Sequence, residues 1–239
     1  MDEYTRPLVA KCRRMQGKYP GLPLFILGLS MGGLISLTAD MENPGLFSGV
    51  VLSAPLIIGA NDNSINRVLG GLGSKLCPTC SLDFTKLDVE DVTTSEVDVE
   101  LLLKYASLLQ VWRNYIRTDP LFYQGGIKFG PAKVLLDATD RLVSRMEEVV
   151  SPLLVLHSPE DKVVLFEGSK QLVRRAGSSD KQLVEVTGAG HTLLLDQPAR
   201  VETIILNWIL DRVSSPWLRD PVVSNLTKKP KESNTKKNI

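Results

Sequence analysis

The stretch Leu24-Phe25-Ile26-Leu27-Gly28-Leu29-Ser30-Met31-Gly32-Gly33-Leu34-Ile35 constrains this chain more than any other. An apolar, strand-like segment runs through a glycine-flanked serine into residues that can start a helix, which is the sequence form of a nucleophile elbow. The sharp turn brings the residues two before and two after the serine against neighbouring backbone, so Gly28 and Gly32 are expected where any Cβ would clash. It lifts the Ser30 hydroxyl clear of the sheet and aims the N–H of Met31, at a helix N-terminus, toward any oxyanion formed beside the serine. Three fixed positions decide little alone, so the context carries the reading. The uncharged run from Leu22 to Ala39, with its Gly28-x-x-x-Gly32, would also suit a membrane helix. Pro23, the Gly32-Gly33 pair and the strand-type residues before Gly28 argue against one.

At 239 residues, 43% hydrophobic and net charge +1, the chain can bury one sizeable core and has no cationic surplus for nucleic acid. Its three cysteines do not suggest a disulfide framework. Cys77-x-x-Cys80 has no second pair to complete a zinc site and Cys12 stands apart, so no metal or other cofactor is expected. The polar opening Met1-Asp2-Glu3-Tyr4, with no apolar stretch behind it, does not resemble a secretory signal; the expected location is the cytoplasm or the cytosolic face of a membrane.

Leu8, Val9, Cys12 and Met15, spaced among basic residues, predict an amphipathic helix from about Thr5 to Lys18. A Gly- and Pro-rich loop leads to a strand over Leu24–Leu27, then a helix to about Met41, then the apolar strand Gly49–Ser53. Strand, helix, strand is a βαβ unit, so an α/β fold with a parallel sheet is expected. Between about 56 and 150 the character changes to glycine-rich turns at Gly70, Gly71 and Gly73, an acidic stretch, and helical candidates near Val99–Ile116 and Ala132–Val149, which read as an inserted cap. The sheet pattern resumes with strands Leu153–His157 and Gln182–Val186 around a helix Phe166–Ala176, and a last helix carries Val201, Ile204, Ile205, Trp208 and Ile209 on one face. A single domain over 1–218 and a disordered, lysine-rich tail over 219–239 complete the expected organisation.

A serine needs a base to take its proton, and the base needs a third group to orient it. Of the two histidines, His191 follows the last strand in a glycine-containing loop, where an imidazole can reach across to Ser30. His157 ends an apolar strand and reads as structural. Asp161, just after that strand in Ser158-Pro159-Glu160-Asp161, is the candidate acid; Glu160 is its rival, and Asp140 and Asp196 end no strand. The order Ser30, Asp161, His191 is that of the α/β-hydrolase fold.

Taken together, Tyr19-Pro20-Gly21-Leu22-Pro23, Gly28 to Gly33, Gly49 to Pro55, Thr118-Asp119-Pro120-Leu121, Glu160-Asp161 and Gly190-His191 resemble the monoacylglycerol lipase family. The resemblance spans about residues 5–213 and implies a serine esterase that hydrolyses monoacylglycerols, with Ser30 as nucleophile, His191 as base, Asp161 as orienting acid and the Met31 N–H as an oxyanion donor. It implies a small lipid ester as substrate and a cap that touches the membrane peripherally. Two departures accompany it. Leu29 stands where the family commonly has histidine, which is expected to tune the pocket. The strands and the H-G-x-G oxyanion loop that precede the elbow in the family are not matched, so an N-terminally truncated sheet with its elbow strand at the edge is expected. A catalytically impaired fragment that binds lipid or a partner is the competing reading.

Overall fold

A computed structural model describes residues 2–60, 62–81, 118, 120 and 125–213. The helical candidate at 99–116, residues 119 and 121 of the Thr118–Leu121 segment and the 219–239 tail lie outside the described residues. Four parallel strands, β1 (Phe25–Leu29), β2 (Gly49–Ser53), β3 (Leu153–His157) and β4 (Lys181–Glu185), lie in the spatial order β1-β2-β3-β4. Ile26 pairs with Val50, Leu52 with Val155 and Leu156 with Val184, which brings the C-terminal ends of the strands to one rim. β2 and β3 are buried at every position, as their unbroken apolar runs require between two helical layers.

One face of the sheet packs on α1 (Asp2–Lys18), α2 (Met31–Glu42), α4 (Phe129–Ser144) and α5 (Phe166–Arg175), through Val9, Leu34, Leu37, Leu142 and Leu172 against Val50, Leu52, Leu153 and Val155. The other face takes the short α6 (Leu193–Asp196) and α7 (Pro198–Leu210), with Val201, Ile205 and Trp208 against Val51, Leu154 and Leu156. Trp208 meets Phe25 edge-to-face at 6.1 Å, and its ring lies so close to Gly49 that a Cβ there would stand 2.8 Å from it. Burial favours this core by about 25 cal/mol per Å² of apolar surface.

β1 and β4 are the edge strands of the described sheet, and Leu27 and Leu29 of β1 are each 45% exposed on the α7 side. Among the described residues no helix is long and apolar enough to cross a membrane; the run once compatible with a span is divided between β1 and α2.

The structure corrects three expectations. The glycines at 70, 71 and 73 do not form turns but lie inside α3 (Ser64–Leu76), which Asn63 caps by accepting the Asn66 N–H at 2.9 Å. Gly73 is tolerated mid-helix because the ring of Phe129, at the start of α4, lies against it where a Cβ would be. The C-x-x-C does form a disulfide: the turn that ends α3, with the Cys80 N–H donating to Cys77 O at 3.1 Å, folds Cys77 and Cys80 together, so cysteine usage gives no ground for a reducing compartment. The third concerns Gly32. A Cβ there meets nothing within 4 Å, whereas Gly33, beside Pro55, is the crowded second glycine.

Candidate active site

Ser30 sits between β1 and α2 with φ 50° and ψ −121°, a left-handed conformation that costs a non-glycine residue about 1–3 kcal/mol. Several hydrogen bonds hold it there. Its N–H donates to Ser53 O at 3.0 Å, and its carbonyl accepts the N–H of Gly33 and of Leu56, each at 2.9 Å. The segment after β2 is bent to wrap the turn, with Ala54 also left-handed at φ 45° and its N–H on Leu156 O. Gly28 makes the close approach possible, since a Cβ on it would stand 2.5 Å from Gly32 O and 2.6 Å from Ser36 Oγ. Met31 opens α2, and a first-turn amide has no acceptor within its own helix.

Across the rim, His191 Nε2 lies 2.9 Å from Ser30 Oγ, and His191 Nδ1 lies 2.8 Å from Asp161 Oδ2. The structure thus brings together the three side chains singled out in the sequence, from loops after β1, β3 and β4. Burial pushes the Asp161 carboxyl upward, but hydrogen bonds from His157, His191 and the Val164 amide outweigh it and hold Asp161 well below the usual carboxylate range. An ionised carboxylate only accepts, so His191 carries its proton on Nδ1 and presents the Nε2 lone pair to the Ser30 hydroxyl. The arrangement can move a proton from serine to imidazole and hold the resulting imidazolium against a buried anion.

Glu160 does not point at His191. It accepts from Ser158 Oγ at 2.6 Å and from the Gly188 N–H at 3.4 Å, the first of which chiefly lowers its pKa. Asp140 pairs with Arg67 at 2.8 Å, away from the site. Asp196 accepts the Gly190 N–H at 2.6 Å and so tethers the loop that carries His191. Neither of these weaker candidate acids reaches His191: Asp140 ties α4 to α3 and Asp196 tethers a loop, and neither contact has a sequence spacing of its own. Sequence reasoning also missed the contact of His157 with the acid, Nε2 to Oδ2 at 3.1 Å. The only signal was a histidine four positions before the acid. Among the described residues no cluster of His, Cys, Asp and Glu could hold a metal ion.

The family described as serine aminopeptidase, S33, matches residues 1–198. The monoglyceride lipase of Homo sapiens is 30% identical over 224 residues, covering 91% of this chain and 68% of that one. The chain belongs to the monoacylglycerol lipase family of α/β-hydrolases. The monoglyceride lipase of Rattus norvegicus is likewise 30% identical, over 214 residues, covering 88% of this chain and 66% of the relative. The chain therefore spans about two thirds of the length of these monoacylglycerol lipase relatives. The crystal structure of the Paleococcus ferrophilus monoacylglycerol lipase superposes with a TM-score of 0.70 at 21% identity, over 88% of this chain and 75% of that one, which shows the shared fold.

Proposed function

We propose that this chain is a serine carboxylic ester hydrolase that releases fatty acid from monoacylglycerols or related small lipid esters. In this reading Ser30 Oγ attacks the ester carbonyl while His191 Nε2 takes its proton, Asp161 stabilises the imidazolium, and the Met31 N–H donates to the oxyanion. His191 then returns the proton to the departing glycerol oxygen, and water repeats the sequence on the acyl-Ser30 ester. The observation that carries this reading is the 2.9 Å approach of His191 Nε2 to Ser30 Oγ, made with the other ring nitrogen already on Asp161. The names of the relatives supply the substrate class.

In this single-domain reading the cap of the 56–150 insertion is carried, among its described residues, by α3, since α4 packs on the sheet. Helix α3 exposes Val68, Leu69, Leu72 and Leu76, the last 84% exposed, and this apolar stripe suits a peripheral contact with a lipid surface. A fluorophosphonate probe tests the chemistry. It is expected to label the wild type on Ser30 and to leave Ser30→Ala unlabelled; equal labelling of the two proteins, or of neither, would refute the reading.

A further inference from the structure

We propose that His157 is a positioning residue for this site: its Nε2–H is the fourth donor that keeps the Asp161 carboxylate ionised and aimed at His191. The inference rests on the roles just proposed for Ser30, His191 and Asp161. The Asp161 side chain is fully enclosed, and both of its oxygens accept. Oδ1 takes the N–H of Val163 at 2.8 Å and of Val164 at 3.0 Å, while Oδ2 takes His191 Nδ1 at 2.8 Å and His157 Nε2 at 3.1 Å. A carboxylate offers about four lone-pair sites. Each has a donor here.

The two amides fix Oδ1 to the turn after β3, but Oδ2 is the atom that orients His191. Of its two partners, His191 gains and loses a proton in the proposed reaction, whereas His157 is locked. The His157 ring is wholly buried at the end of β3, edge-to-face with Phe166 at 5.6 Å, and its Nδ1 lies 2.7 Å from Ser169 Oγ on α5. Because an ionised carboxylate cannot donate, His157 Nε2 carries a proton, and in the neutral ring Nδ1 accepts from the Ser169 hydroxyl. The carboxylate thereby sets the tautomer in which Nε2 donates to Oδ2, and the Ser169 hydroxyl satisfies the nitrogen left over. Without His157 a lone pair of a buried anion loses its donor, and the carboxylate no longer has a fixed partner opposing the pull of His191.

The test uses His157→Gln, which keeps an N–H near the Nε2 position, and His157→Leu, which keeps bulk without a donor. Each is read by kcat and KM on a soluble short-chain ester and by the imidazole N–H signal of His191, assignable because the chain has only two histidines. His157→Leu is expected to lower kcat by about tenfold or more with KM within about twofold, and to expose the His191 Nδ1–H to rapid exchange. His157→Gln is expected to restore kcat and the protected proton even if both variants melt at the same lowered temperature. Equal impairment of the two, or a wild-type kcat and His191 signal in His157→Leu, overturns the proposal. Should His157→Leu not fold, Ser169→Ala decides: a several-fold loss confined to kcat is expected, and full retention of kcat and of the His191 signal refutes the role. A wild type that hydrolyses no ester refutes the esterase reading, while the His191 proton still reports on His157, since it needs no turnover.

Discussion

The two glycines that flank Ser30 look equivalent in sequence, and the structure gives them opposite fates. Alanine at position 28 would bring Cβ to 2.5 Å from Gly32 O, 2.8 Å from Gly32 C and 2.6 Å from Ser36 Oγ. Two of these neighbours are α2 backbone and cannot rotate aside, so the strand and helix must part by several tenths of an ångström. Overpacking of this kind costs about 1–3 kcal/mol, or about 2–12 °C in Tm for a chain of this size. It also displaces Ser30, and a misplacement of about 1 Å can cost about 10²-fold in rate. Alanine at position 32 meets nothing within 4 Å and sits in the first turn of α2, where replacing glycine gains up to about 1 kcal/mol. Thermal melts with esterase assays should therefore show Gly28→Ala losing both Tm and activity and Gly32→Ala losing neither. If Gly32→Ala is as damaging as Gly28→Ala, the packing argument for the elbow is wrong.

Further expectations concern the acid, the second face of the sheet and an unused buried carboxylate. Asp161→Asn should lower kcat by about 10⁴-fold, because the amide no longer selects the His191 tautomer with Nδ1–H. Since the folded Asp161 pKa is depressed, its stabilisation is present above the unfolded value of about 3.9 and is lost as pH falls through the folded value; the Tm deficit of Asp161→Asn should shrink in acid. Asp40 is 2% exposed on α2, and burial raises its carboxyl against the opposing Ser151 hydrogen bond of 2.6 Å. The sign reverses: the contribution of the protonated group is complete below about 3.9 and lost as pH rises through the folded value, so Asp40→Asn should raise Tm at pH 7 and not at pH 3. Ser151→Ala, which strips the donor from that carboxylate, should cost about 1–3 kcal/mol in a urea melt at neutral pH. Gly49→Ala should shift the Trp208 fluorescence as well as the Tm, since the new methyl falls 2.8 Å from the indole.

The parts of the fold that depend on short-range pattern were legible in the sequence. The unbroken apolar runs at Gly49–Ser53 and Leu153–His157 became fully buried parallel strands, and the stripe from Val201 to Ile209 became the inner face of α7. The elbow, acid and histidine could be picked out because each follows a strand that the pattern had located. What could not be read depends on contacts between distant segments. A glycine-rich stretch over 70–73 joins a helix because Phe129 packs on it, and the closing of the Cys77–Cys80 pair follows from where α3 ends. The spacing around Ser30 points to Gly32 where the crowded position is Gly33, because Pro55, the neighbour that decides, lies beyond β2. The sequence around His157 suggests only a structural residue, because its partners Ser169 and Asp161 come from a helix and a turn that only the fold brings to it.

The claim that Ser30 carries lipid-ester hydrolysis is tested most directly by fatty-acid release from vesicles containing monoacylglycerol, measured with wild type and Ser30→Ala at equal protein concentration. Steady release by the wild type and none above background by Ser30→Ala are expected. Release that is the same in both proteins would place the chemistry elsewhere and contradict the claim, as would a well-folded wild type that releases none.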